Sequence, residues 1–282
     1  MRKYFSLIKF SHTIFAMPFA FIGFFLAQKE YQFDWFTLIY IILCMIFARS
    51  AAMAFNRYID RDIDLKNIRT ATTREIPTGR ITPNNALLFV ILNSILFILT
   101  TYFINTLCFS LSPIALAIIL GYSYTKRFTF LCHLILGLGL SLAPIGSYLA
   151  VSGEFNIVPI LYSLVVLFWV SGFDIIYSLQ DEEFDSLNNL NSIPVFFGKK
   201  LALILSKILH LSAMIVVSYL GYLNDFSNLH TIGSIIFCCL IIFQHSIISS
   251  NNLSKINIAF FTTNGIASII FAIFIILDIL TS

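Results

Sequence analysis

Charge is scarce in this sequence. Asp, Glu, Lys and Arg make up 11% of its 282 residues, against 59% hydrophobic residues, and a mean hydropathy of +0.91 excludes a chain that wraps an apolar core in a charged, water-facing surface. Cysteine is sparse too: Cys44, Cys108, Cys132, Cys238 and Cys239 all fall in or beside apolar runs, without zinc-ligand spacing, and are expected to be packing residues. A formal net charge of only +3 gives no footprint for nucleic acid. The opening "MRKYFSLIKF" is basic, as a signal peptide would be, but no small-residue cleavage site follows, so it reads as the approach to a first helix.

Long apolar runs are what the chain has in quantity. Nine stretches, 10–28, 36–55, 85–106, 107–123, 131–151, 157–178, 200–222, 230–249 and 257–280, are each long enough to cross a hydrocarbon core of about 30 Å. Only helices or closed barrels satisfy the backbone in lipid, so the sequence predicts an all-α polytopic membrane bundle of about nine helices, a single transmembrane domain over residues 1–282. Trp35 and Trp169, near predicted span ends, are expected to be interface anchors.

Basic residues fall on alternate connections: Arg2, Lys3 and Lys9 before the first span; Arg57, Arg61, Lys66, Arg69, Arg74 and Arg80 between the second and third; Lys126 and Arg127 between the fourth and fifth; Lys199 and Lys200 before the seventh; Lys255 before the ninth. The other connections hold almost only Lys29. The positive-inside rule then puts the N-terminus and these connections on the cytoplasmic side of what is expected to be a bacterial inner membrane.

Most acids gather on the same side, which that rule does not explain. "NRYIDRDID", residues 56–64, holds three acids and two arginines; "GFDIIYSLQDEEFD" ends the sixth span. Asn56, Asp60 and Asp64 are matched by Tyr177, Asp181 and Asp185, each displaced by 121 positions. The offset suggests two pseudo-repeated halves, with acidic motifs at 56–64 and 174–185, meeting at one site. Spacing by four puts each triplet on one helix face, and four carboxylates facing each other need cations between them. Mg²⁺, which binds through a few carboxylates plus substrate phosphates, suits such a clamp. The plainer alternative is that Asp60 and Asp64 only form surface salt bridges with Arg57 and Arg61, which contribute little.

Arg49 stands apart, seven residues before Asn56 inside an apolar run. At about 1.5 Å and 100° per residue it lies about 10 Å deeper on nearly the same line, so it is expected to face the bundle interior and either pair with a neighbouring helix or bind the carboxylate of an acidic substrate. The segment from Lys66 to Asn85 is too long and polar for a simple hairpin, and its arginines are expected either to be merely solvated or to draw in a dianionic head group. The five histidines do not cluster at ligand spacing; His12 is expected to hydrogen-bond within the bundle.

"ARSAAMAFNRYIDRDIDLKNIRTATTREIPTGRIT" and "DIIYSLQDEEFD" resemble the two aspartate-rich motifs of the UbiA superfamily of intramembrane prenyltransferases, and "KFSHTIFAMPFAFIG", "GYSYTKRFT" and "SIPVFFGKK" extend the likeness over nearly the whole chain. The resemblance is closest to 4-hydroxybenzoate polyprenyltransferase and the related enzyme of menaquinone synthesis. It implies Mg²⁺-dependent transfer of a polyprenyl group from polyprenyl diphosphate to an aromatic acid, 4-hydroxybenzoate or a dihydroxynaphthoate. It further implies that Asn56, Asp60, Asp64, Asp181 and Asp185 hold metal against the diphosphate, that Asp174 and Tyr177 belong to the second motif, that Lys126 and Arg127 contact the diphosphate, and that Arg49 receives the acceptor. Asp62 lies off the motif face. From another class, a secondary transporter or divalent-cation pathway also has paired halves and acids at helix ends, but its site would sit near the midplane.

Overall fold

The computed structural model describes residues 2–8, 15–225 and 227–281. Lys9 and His12, and the front of the first expected span, lie outside them. The described chain forms α1 (Arg2–Ile8), α2 (Met17–Ala27), α3 (Trp35–Ile59), α4 (Arg61–Lys66), α5 (Ile68–Ala71), α6 (Pro83–Ile104), α7 (Thr106–Thr125), α8 (Cys132–Ser152), α9 (Ile157–Ser178), α10 (Glu182–Leu187), α11 (Ile193–Leu223), α12 (Asn228–Ser246) and α13 (Asn264–Thr281), with a 3₁₀ turn before α10 and a π-helical turn before α13. Among the described residues eight helices are long and apolar enough to cross a membrane, and α2 is a shorter apolar helix of 11 residues. The protein is an all-helical integral membrane bundle.

Side-chain caps set where most long helices begin. Asp34, Thr82, Asn105, Asn156, Ser192 and Ser227 each accept a hydrogen bond from a first-turn amide of the helix that follows. α6 and α11 add Pro in the first turn, where its missing N–H is harmless. α11 is broken at Gly198, whose φ of 76° only glycine adopts easily, so the span expected to start at 200 is preceded by a separate short turn.

More of α9 is buried than of any other candidate span among the described residues. It packs between α8 and α11, and it can approach both because of glycine: a Cβ on Gly137 would meet the Ser171 side chain, and one on Gly172 would meet the His210 ring. This position corrects the expectation for Trp169. The indole is fully buried and packs on Phe19, Phe173 and Phe237, because α9 is enclosed by neighbours where a peripheral helix would face head groups. Trp35, by contrast, is exposed at the start of α3. α3 packs on α6 and α7, α7 on α8, and α13 on α12 and α2.

Candidate active site

The C-terminal ends of α3, α7 and α9 meet on one side of the bundle. Each presents unsatisfied carbonyls and the negative end of its dipole, which favours cations there. Arg127 makes this explicit by donating to Ile59 O of α3 at 2.7 Å while pairing with Asp62 at 2.8 Å. The Asp62 hydrogen bond, above all, raises the Arg127 guanidinium and lowers the Asp62 carboxyl from their ordinary values. Arg127 is therefore engaged locally, and Asp62, which helix geometry turns off the motif face, is its partner.

At the end of α3 the helix breaks at Asp60, the cap residue, and restarts as α4. Asn56 Nδ2 donates to Asp60 Oδ2 at 2.9 Å, and Asn56 Oδ1 accepts from Arg57 at 2.9 Å. Asn56 thus aims Asp60, and its single potential metal-binding oxygen already has a donor. Asp64 is buried and paired with Arg74 from the following loop. Burial, with the Asp64 charge adding to it, pushes the Asp60 carboxyl up to about 6.

The second motif is held differently. Arg69 NH2 reaches both oxygens of Asp181, at 2.8 and 2.7 Å, and Arg69 NH1 donates to the Tyr177 hydroxyl at 3.1 Å. Lys126 Nζ, in the cap of α7, lies 2.7 Å from Oδ1 of the fully buried Asp185. Asp174, one turn up α9, binds His133 Nδ1 through Oδ2 at 2.7 Å. The second acidic motif is therefore held by cations from the first half of the chain, Arg69 after the first motif and Lys126 after α7.

Four carboxylate oxygens in this region are buried without a hydrogen-bond donor among the described residues: Asp60 Oδ1, Asp64 Oδ2 and both oxygens of Asp185, of which Asp185 Oδ1 has the Lys126 ammonium beside it at 2.7 Å. A buried anionic oxygen with no donor is costly unless a cation takes it. Among the described residues no three His, Cys, Asp or Glu side chains converge to enclose a metal by themselves. These donors fit a hard divalent ion that takes one or two carboxylates from the protein and completes its shell with water and substrate oxygens, as Mg²⁺ does.

Deeper on α3, Arg49 lines an apolar cavity of about 370 Å³ together with Tyr122, Ala48, Ala52, Cys44 and Gly139. Its Nε is buried without a hydrogen-bond partner, and it forms no ion pair among the described residues. Of the two alternatives for Arg49, an ion pair to a neighbouring helix is thus not seen among the described residues. His133, which binds Asp174, and Asn191, whose N–H donates to Lys126 O at 2.7 Å, escaped the sequence reading: the first looks like any residue of an apolar run, the second like loop. The histidines also include a pair hidden by sequence distance, His210 Nδ1 and His245 Nε2, 2.8 Å apart.

The model of the UbiA prenyltransferase family matches residues 16–266. The chain is 30% identical over 241 residues to a 4-hydroxybenzoate octaprenyltransferase of Aliivibrio fischeri, covering 84% of this chain and 83% of that one. It is 28% identical over 235 residues to its namesake from Photobacterium profundum, covering 83% and 81%. The fold is similar to a UbiA homologue from Aeropyrum pernix solved without ligand, with a TM-score of 0.85, 32% identity and coverage of 95% and 98%. It is also similar to a UbiA homologue from Archaeoglobus fulgidus bound to GPP and Mg²⁺, with a TM-score of 0.75, 23% identity and coverage of 98% and 99%.

Proposed function

We propose, because this chain belongs to the UbiA prenyltransferase family, that it transfers a polyprenyl group from a polyprenyl diphosphate to an aromatic carboxylic acid of the 4-hydroxybenzoate type, releasing diphosphate. The observation that carries this reading is the set of donor-less buried oxygens on Asp60, Asp64 and Asp185, interleaved with Arg69, Arg74 and Lys126. Acids and cations packed together in this way suit a polyanion accompanied by divalent metal. Names of the 4-hydroxybenzoate relatives support the acceptor class, and the Mg²⁺ and prenyl diphosphate in the Archaeoglobus homologue's description support the metal and donor.

Bound Mg²⁺ would supply charge neutralisation at the diphosphate, with Asp60, Asp64, Asp181 and Asp185 holding it. Asn56 orients Asp60 for that task. Lys126, Arg69 and Arg74, which occupy the carboxylates in the structure, exchange them for phosphate oxygens and stabilise the charge that grows on the leaving group. Tyr177 keeps Arg69 in place, Asp174 orients the second motif, and Arg127 holds the end of α3 beside Lys126. The allylic carbon becomes electron-deficient as diphosphate departs, so water must be kept away, and the apolar walls around Arg49 do that. Arg49 takes the acceptor carboxylate through a two-pronged charge-assisted contact and presents the ring to that carbon.

The test is to offer membranes containing the protein 4-hydroxybenzoate and carboxylated dihydroxynaphthalenes side by side with a polyprenyl diphosphate and Mg²⁺, and to identify products by mass spectrometry. A prenylated hydroxybenzoate is expected; a prenylated naphthoate alone would move the acceptor to the menaquinone type, and no prenylated aromatic would remove the reading. The basic connections support a site at the cytoplasmic face of a bacterial inner membrane. Cysteines introduced at 68 and 187, both exposed positions, are expected to react with an impermeant thiol reagent from that side only.

A further inference from the structure

We infer that His133 is a positioning residue of the site, a two-sided staple that sets the second acidic motif against the basic turn carrying Lys126. The inference rests on the prenyltransferase reading above for what the site does, and on geometry for what His133 does. His133 sits in the first turn of α8, buried at 3% exposure, and it uses both ring nitrogens on different elements. Nδ1 lies 2.7 Å from Asp174 Oδ2 on α9. Nε2 lies 3.4 Å from the backbone N of Ile193, where the segment after α10 turns into α11.

The partners assign the tautomer. A backbone N–H can only donate, so Nε2 accepts; Asp174 offers an acceptor, so Nδ1 carries the proton. The neutral ring therefore satisfies both sides at once. What it joins is the segment that leads to the metal-facing groups. Asn191 N–H, two residues before Ile193, donates to Lys126 O at 2.7 Å, and the neighbouring Cys132 thiol reaches Asn191 O at 3.6 Å. Leu190 N–H donates to Asp185 O at 2.9 Å. From His133 the connections thus run on one side to Asp174 and on the other, through residues 190–193, to the backbone of both Lys126 and Asp185, whose side chains pair at 2.7 Å. Loss of the staple leaves Asp174 Oδ2 and the Ile193 N–H without buried partners and frees the 190–193 segment to shift, taking Asp185 with it.

The test compares three replacements in the full-length protein. Gln carries an amide NH₂ donor and a carbonyl acceptor on a side chain of similar reach, so His133→Gln can keep a donor toward Asp174 and an acceptor toward Ile193; His133→Asn is one methylene shorter and cannot span them; His133→Leu fills the space and removes both. Turnover is measured with KM for each substrate, alongside thermal unfolding in detergent. His133→Asn and His133→Leu are expected to lower kcat by about 10-fold to 100-fold, the range found when partners behind a metal site are lost, and to raise KM for the prenyl diphosphate while KM for the aromatic acid stays unchanged. His133→Gln is expected to stay within about threefold of the parent, since it still offers one donor and one acceptor to the two partners. Equal loss in Gln and Asn, or no loss in Leu, overturns the staple; a fall of kcat with both KM values unchanged and less folded protein makes His133 a packing residue only. If His133→Leu does not fold, the Gln and Asn pair decides. Binding of a non-reacting prenyl thiodiphosphate with Mg²⁺ is read in the same variants, so that a wrong acceptor leaves the ranking Gln above Asn measurable.

Discussion

The two acidic helix ends look alike in sequence and are held in opposite ways. In the first, Asp64 is paired by Arg74 and Asp62 by Arg127, all residues between 57 and 127. In the second, Asp181 is held by Arg69 and Asp185 by Lys126, so both cations come from the first half of the chain. Among the described residues the second half contributes only Lys199, 3.5 Å from Glu182. The site is thus built from two acid donors but one cation donor. The first half can arrange its own charges; the second depends on the first, and its geometry is a property of the interface between them.

That asymmetry is broken most severely by removing a carboxylate that has a free buried oxygen. Asp64→Asn and Asp185→Asn are each expected to lower turnover about 100-fold or more, the scale of a lost electrostatic stabiliser, with little change in thermal unfolding. Near-normal turnover at saturating Mg²⁺ in both would remove the clamp from the account.

Arg69→Ala tests the link between halves. Since Arg69 is itself 41% exposed, its loss is expected to act through Asp181 and the diphosphate, raising KM for the prenyl diphosphate by about tenfold, comparable to one charge-assisted contact. Arg74→Ala frees a carboxylate of its own half and is also expected to raise KM for the prenyl diphosphate; because the two arginines share that ligand, their losses are expected to couple. Full additivity would mean that they do not meet on one diphosphate.

Arg49→Lys keeps the charge and loses the fork. It is expected to raise KM for the aromatic acid severalfold more than KM for the prenyl diphosphate, because a lysine cannot make the paired contact. Parallel loss toward both substrates would return Arg49 to a role in bundle packing.

The smallest effect concerns pH. The Asp60 carboxyl, raised to about 6 in the metal-free fold from an ordinary 3.8, favours its protonated form there, so its contribution to the metal-free fold is fully present below 3.8 and lost as pH rises through about 6. Mg²⁺ binds the ionised form and must displace that proton at lower pH. The rise in unfolding temperature produced by Mg²⁺ is therefore expected to be larger at pH 7 than at pH 5. An equal shift at both would exclude Asp60 as a ligand.

Much of this molecule was legible before any coordinates. Apolar run length located the eight long helices found among the described residues, because an apolar run of that length suits a membrane span. The triplets Asn56, Asp60, Asp64 and Tyr177, Asp181, Asp185 could be seen because helix spacing is local. The break in α11 at Gly198 was not, since a glycine in an apolar segment can serve packing or a bend. Trp169 was misread for the same reason: hydropathy reports that a helix is apolar, not whether lipid or protein surrounds it.

What the sequence by itself determined is what depends on near neighbours along the chain: the all-helical membrane architecture and the two acidic faces. The tertiary structure alone decided which helix is central, which cation serves which carboxylate, and that His133 joins Asp174 to Ile193 across 60 residues of chain. The physical reason is that an ion pair or a buried hydrogen bond is fixed by distances of about 3 Å in space, and residues as far apart as Arg69 and Asp181 come within that reach only when α3, α7 and α9 end on the same side of the packed bundle.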